Sequence, residues 1–198
     1  MKKLPSLLFI AGLIFLILTV PASANTIDFE NMPETYWEFS PTGNQNIGNY
    51  FSGVTFGPQA TILEDQVYGY NTEYQPPNSG NAVMSTDGSQ GDAIQADFNV
   101  PTNDVSLYYT SATGFFLEAY DSLGTQIASV SSDLMGNNIF LQVTSSGYNI
   151  AYVIMHDGGN FYTVDDFSFN VPVPEPSTML LLGSGLIGLL GLRKKFRK

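Results

Sequence analysis

The sequence predicts an all-β protein, an antiparallel β-sandwich, and three observations carry the prediction. No stretch between Asn25 and Pro172 holds a helical period for three turns. Short segments of alternating apolar and polar residues are separated by Gly, Asn, Asp and Pro, which punctuate hairpins. The same region is rich in Gly, Ser, Asn, Thr, Tyr and Phe and has no cysteine, so the fold is held without disulfides.

Taken in order, Thr26–Glu30 reads as the first strand, with Ile27 and Phe29 on one face and Asp28 and Glu30 on the other. Residues 31–49 are irregular, and Phe51–Phe56 forms the next strand. Residues 59–81 read as a long loop ending in Pro76-Pro77-Asn78-Ser79-Gly80, followed by a short strand at Ala82–Met84. The second half is more regular. Ala93–Val100 alternates through Ile94, Ala96 and Phe98, and Pro101-Thr102-Asn103 turns the chain. Asp104–Thr110 places Val105, Leu107 and Tyr109 on one face, and the strand opened by Gly114 does the same with Phe115, Leu117 and Ala119. Asp121-Ser122-Leu123-Gly124 is a hairpin signal leading into Gln126–Val130. Asn138–Val143 and Tyr148–Met155 follow, the latter apolar on both faces and hence central. A turn over 156–160 leads into the last strand, Phe161–Phe169, giving about nine or ten strands in one domain.

The two ends belong to transport. Lys2 and Lys3, an apolar run from Leu4 to Val20, and Pro21-Ala22-Ser23-Ala24 make a charged region, a hydrophobic region and a small-residue cleavage site. Residues 1–24 are therefore a predicted signal peptide; an uncleaved signal anchor is the alternative. At the other end, Pro172, Pro174 and Pro176 form a stiff connector. Residues 177–192 then supply a predicted transmembrane helix of about 24 Å, short of the hydrocarbon core unless flanking basic side chains snorkel. Arg193, Lys194, Lys195, Arg197 and Lys198 close the chain and should stay cytoplasmic. On physical grounds alone an ordinary C-terminal membrane anchor is one of two readings open to this tail, the other being a sorting signal.

Charge separates these ends from the body, residues 25–171. All seven Lys and Arg residues lie in the ends, and of 18 acidic residues only Glu175 does, leaving 17 acids and no basic residue between. Such a body excludes nucleic acid as a partner, because phosphate binding needs Lys or Arg. It suits cations, neutral sugars or cationic surfaces, or serves solubility alone.

Pro174-Glu175-Pro176, a glycine-bearing apolar helix and a terminal basic cluster together resemble the PEP-CTERM sorting signal of Gram-negative bacteria. The resemblance implies transit through the inner membrane and processing by an exosortase-type protease-transpeptidase as well as by signal peptidase. It also implies release to the cell surface or extracellular matrix, in company with exopolysaccharide and biofilm production. The body, closing on Val164-Asp165-Asp166-Phe167-Ser168-Phe169, is similar to the galactose-binding-like jelly roll of many carbohydrate-binding modules.

That second resemblance implies a structural Ca2+ held between an acid near the first strand and one at the last. The matching positions are Glu30, with Asp28 as alternative, and Asp165, with Asp166 as alternative. Strict alternation independently sets Asp165 on the side of Phe167 and Phe169, where a buried carboxylate needs a partner. With no Lys or Arg in the body, the available partners are backbone N–H groups, hydroxyls, His156 or a cation. For sugar binding, Trp37, Tyr68, Tyr70 and Tyr74 form the expected aromatic platform, with Asn71, Glu73 and Gln75 to take hydroxyls. No catalytic residues are predicted: there is no Gly-x-Ser-x-Gly elbow and no phosphate loop, and His156 is alone. The expectation is a non-catalytic polysaccharide-associated binding or structural module. The alternative is a secreted glycan-active hydrolase using a carboxylate pair.

Overall fold

The computed structural model describes residues 22–36, 46–64, 75–86, 93–159 and 161–172. Among them run β1 (Ala22–Ile27), β2 (Val54–Phe56), β3 (Ala60–Glu64), β4 (Ala82–Thr86), β5 (Ile94–Thr102) and β6 (Asp104–Ser111). They are followed by β7 (Phe115–Tyr120), β8 (Gln126–Ser132), β9 (Gly136–Thr144), β10 (Ile150–Asp157) and β11 (Tyr162–Pro172). A single 3-10 turn at Glu34–Tyr36 is the helical element among the described residues.

The strands form two antiparallel sheets packed as a sandwich, as the alternating pattern predicts. One sheet has the order β3-β4-β11-β6-β9, with β1 also paired to β11; the other has the order β2-β5-β10-β7-β8. The chain crosses between sheets at every connection except β3–β4 and β7–β8, a jelly-roll-like path. Residues 24–171 make one compact unit.

The core is where alternation puts it. Val105, Leu107 and Tyr109 on β6 meet Phe115, Leu117 and Ala119 on β7, all at most 1 % exposed. Tyr109 stacks on Phe115 at 4.5 Å, while Phe56 and Phe98 meet Phe167 and Phe169 from the opposite sheet. The predicted hairpin between β7 and β8 is closed by its own turn chemistry. Asp121 Oδ1 accepts the Leu123 and Thr125 N–H groups at 2.9 Å, and Gly124 takes φ +78°.

Four expectations are corrected. The first strand ends at Ile27 rather than Glu30, because Phe29 and Asn31 adopt left-handed backbone at φ 59° and 58° and turn the chain away. Residues 60–64, expected within a loop, form β3; four of its five residues are buried, so both faces are covered and the period-2 signal is absent. Pro101 does not end β5, which continues to Thr102 through a register shift opposite Ile150 and Tyr152. Strict alternation fails in β11. Asp165 pairs with Tyr108 and Ser168 with Ser106, so three steps on β11 match two on β6. The extra residue is a β-bulge at Asp166, at φ 47°, and it turns Asp165 to the outer face while Phe167 and Phe169 stay in the core. The expected cleavage point after Ala24 falls within β1.

Candidate functional site

The four acids expected at a metal site lie beside one loop. Asp165 is only 2 % exposed although it faces outward, because the segment Pro77–Ala82 lies against it. Its Oδ2 accepts the N–H of Asn78 at 2.6 Å and of Ser79 at 2.8 Å, and its Oδ1 accepts the N–H of Asp166 at 2.7 Å. Asp166 accepts the Asn78 amide at 2.7 Å and the Ser79 hydroxyl at 2.8 Å. Glu30 Oε1 accepts the Asn81 and Ala82 N–H groups, both at 2.7 Å, and Asp28 Oδ1 accepts the Glu30 N–H at 3.2 Å. Burial pushes the Asp165 carboxyl up to about 6, helped by the adjacent Asp166 and opposed by the three N–H groups it accepts.

The partners of the buried carboxylate are therefore backbone N–H groups. N–H and O–H donors occupy these acids, and among the described residues no three acidic or histidine side chains converge as a metal would require. In this arrangement the set does not fit Ca2+, which takes six to eight oxygen ligands.

The expected aromatic platform, Trp37, Tyr68, Tyr70 and Tyr74, lies outside the described residues. So do Pro174, Glu175, Pro176, the predicted helix over 177–192, and Arg193, Lys194, Lys195, Arg197 and Lys198.

A different aromatic surface is built on the outer face of the five-stranded sheet. Register brings Asp97, Tyr152 and Tyr120 into one row across β5, β10 and β7. A second row holds Gln95, Ile154, Glu118 and Ser129, and a third holds His156, Phe116 and Ser131. Tyr120 and Tyr152 stack at 4.9 Å and 2°, and Phe116 and His156 at 4.8 Å and 10°. These distances match the spacing of neighbouring strands, about 4.8 Å, so in each pair the rings face each other across the sheet. Tyr120 donates its hydroxyl to Glu118 Oε2 at 2.8 Å, which raises the Tyr120 pKa, and His156 Nε2 lies 3.9 Å from the same oxygen. Gln95 Nε2 donates to Asp97 Oδ1 at 2.8 Å. Beside this grid lies an open depression of about 380 Å3, lined by Gly57, Pro58, Gln59, Ala93, Gln95, Asp97 and Ile154.

Sequence reasoning missed this surface because residues 148–155 read as apolar on both faces. The strand is central, yet Tyr152 and Ile154 are only half-buried. The available signal was Phe116, Glu118 and Tyr120, which occupy the alternate positions of a strand whose core face is Phe115, Leu117 and Ala119.

Residues 172–197 match the protein-family description of the PEP-CTERM protein-sorting motif. The chain carries a PEP-CTERM sorting tail. No curated protein matches it in sequence. Solved structures similar to the chain include the K2 cleaved adhesin domain of Lys-gingipain, at 12 % identity and TM-score 0.45, covering 75 % of this chain and 100 % of that one. TmCBM61 in complex with β-1,4-galactotriose is similar at 10 % identity and TM-score 0.39, covering 62 % and 90 %. A CBM29-2 mutant is similar at 10 % identity and TM-score 0.39, covering 79 % and 99 %.

Proposed function

We propose that the chain is an exported surface protein. Signal peptidase removes residues 1–24, an exosortase-type transpeptidase acts at Pro174-Glu175-Pro176, and the β-sandwich is delivered to the cell surface or extracellular matrix. There it serves as a non-catalytic, polysaccharide-associated module. The observation that carries this reading is the sorting motif over 172–197 behind an all-β body without a basic residue. The non-catalytic reading is supported by where the one strongly raised carboxyl among the described residues sits. Asp165 could hold a proton near pH 6, as a general acid must, but it is buried beneath the 77–82 segment, out of a substrate's reach.

The test is the intact mass of the chain expressed in a Gram-negative host with an exosortase and in the same host lacking it. The expected product with the enzyme has lost both ends. Without the enzyme it retains the tail, and so does the Glu175→Ala variant in the complete host. A full-length mass in both hosts overturns the proposal.

A further inference from the structure

The outer face of the five-stranded sheet is the surface to which nothing above gives a role. Its two stacked pairs hold aromatic rings half in solvent on rigid strands, where a soluble protein commonly places small polar residues. Tyr152 leans away from β5: its hydroxyl lies over the β7–β8 turn, where a Cβ on Gly124 would approach it to 3.7 Å. One ring face is covered by Tyr120, and the other turns towards Asp97, its register partner on β5. Asp97 links that side to the depression, which Tyr152 itself does not line and whose wall holds Gln59, Gln95 and Asp97. A flat apolar face beside a carboxylate and two amides is the donor and acceptor set that a sugar ring satisfies. Its C–H face lies against the tyrosine and its hydroxyls meet the polar groups.

Charge narrows the ligand. Asp97 and Glu118 are the charged groups in the first two rows, and no Lys or Arg exists between Asn25 and Pro172 to receive an anion. A uronate or sulfated sugar set against Tyr152 would bring its charge next to Asp97. We propose that this face binds a neutral glycan chain, with Tyr152 as the stacking platform, Asp97 and Gln95 as hydroxyl partners, and the adjoining depression as the seat of one sugar unit. The inference rests on the reading of the body as an exported polysaccharide-associated module and assigns that reading a site and a ligand class.

Affinity electrophoresis of the full chain in mild detergent tests it. The gels contain neutral β-glucan, galactan or galactomannan, or anionic polygalacturonate. The expected result is retardation by at least one neutral polymer and none by polygalacturonate. Tyr152→Ala should weaken binding by about tenfold or more, and Asp97→Ala, a change at an exposed position, should weaken it measurably. Phe140→Ala, on the six-stranded sheet, should bind as the wild type does, and circular dichroism should show all three variants folded. Silence on every neutral polymer, retardation by polygalacturonate alone, or wild-type binding by both Tyr152→Ala and Asp97→Ala overturns the inference. Export and cleavage are read separately by mass, so a protein that is cut and delivered yet silent on these gels fails here alone.

Discussion

The Ser79 N–H donates to Asp165 Oδ2 at 2.8 Å across 86 residues of chain, joining the middle of the sequence to its last strand. The neighbouring N–H of Asn78 shares the same oxygen at 2.6 Å. The contact exists because the bulge at Asp166 turns Asp165 out of the core and into reach of the 77–82 segment. Asp165→Ala would leave both donors, and that of Asp166, without this acceptor. Since Asp165 is buried, the expected loss is about 1–3 kcal/mol of stability, read as a lowered midpoint in urea with an unchanged slope. A midpoint within error of wild type would show that water replaces the carboxylate at no cost.

Gly80 sits within the same segment at φ +57°, and a Cβ there would overlap the Glu30 carboxylate. That carboxylate cannot yield freely, because Oε1 holds the Asn81 and Ala82 N–H groups. Gly80→Ala therefore combines left-handed strain of about 1 kcal/mol with displacement of two hydrogen bonds, and should destabilise by about 2 kcal/mol or more. Thermal unfolding of the variant beside Gly48→Ala checks this. Gly48 has similar φ, +52°, but ordinary contacts, so it should lose only the strain.

These two residues mark where sequence reading succeeds and stops. Period-2 alternation identifies the core faces of β6 and β7, because one side of each strand is apolar and the other is not. It fails where both faces are covered, as in β3, and where one inserted residue changes the parity, as at Asp166. The requirement that Asp165 be partnered is legible from the lack of any Lys or Arg; that the partners are Asn78 and Ser79 is not, since nothing local links positions so far apart. The stacked pair of Tyr120 and Tyr152 is invisible for the same reason: it depends on the register of β7 against β10.

The donor set around Asp28, Glu30, Asp165 and Asp166 bears directly on calcium. Their oxygens accept N–H and O–H groups, and a cation would have to displace donors that already satisfy the buried carboxylate. The expected outcome is a melting temperature unchanged between excess EDTA and millimolar Ca2+. A ligand that binds only the folded state raises stability by about 2.7 kcal/mol at a hundredfold its dissociation constant, so a real site would appear as a shift of several degrees.

Acid should stabilise this protein through Asp165. The carboxyl titrates near 3.8 when solvated and at about 6 in the fold. Between those values the folded state keeps a proton that the unfolded chain has released, so unfolding is favoured as pH rises through this window. The contribution is fully present below about pH 4 and lost above about pH 6. Relief of repulsion among the other acids of the body acts in the same direction, and Glu64, raised by burial and by Glu30, adds to it. Asp165→Asn separates these effects, because it removes one titrating group and leaves the rest. The wild type should gain more stability than Asp165→Asn as pH falls from 7 to 4, measured by urea titration at each pH. Parallel profiles would mean that the N–H groups of Asn78, Ser79 and Asp166 hold the carboxylate ionised in spite of its burial.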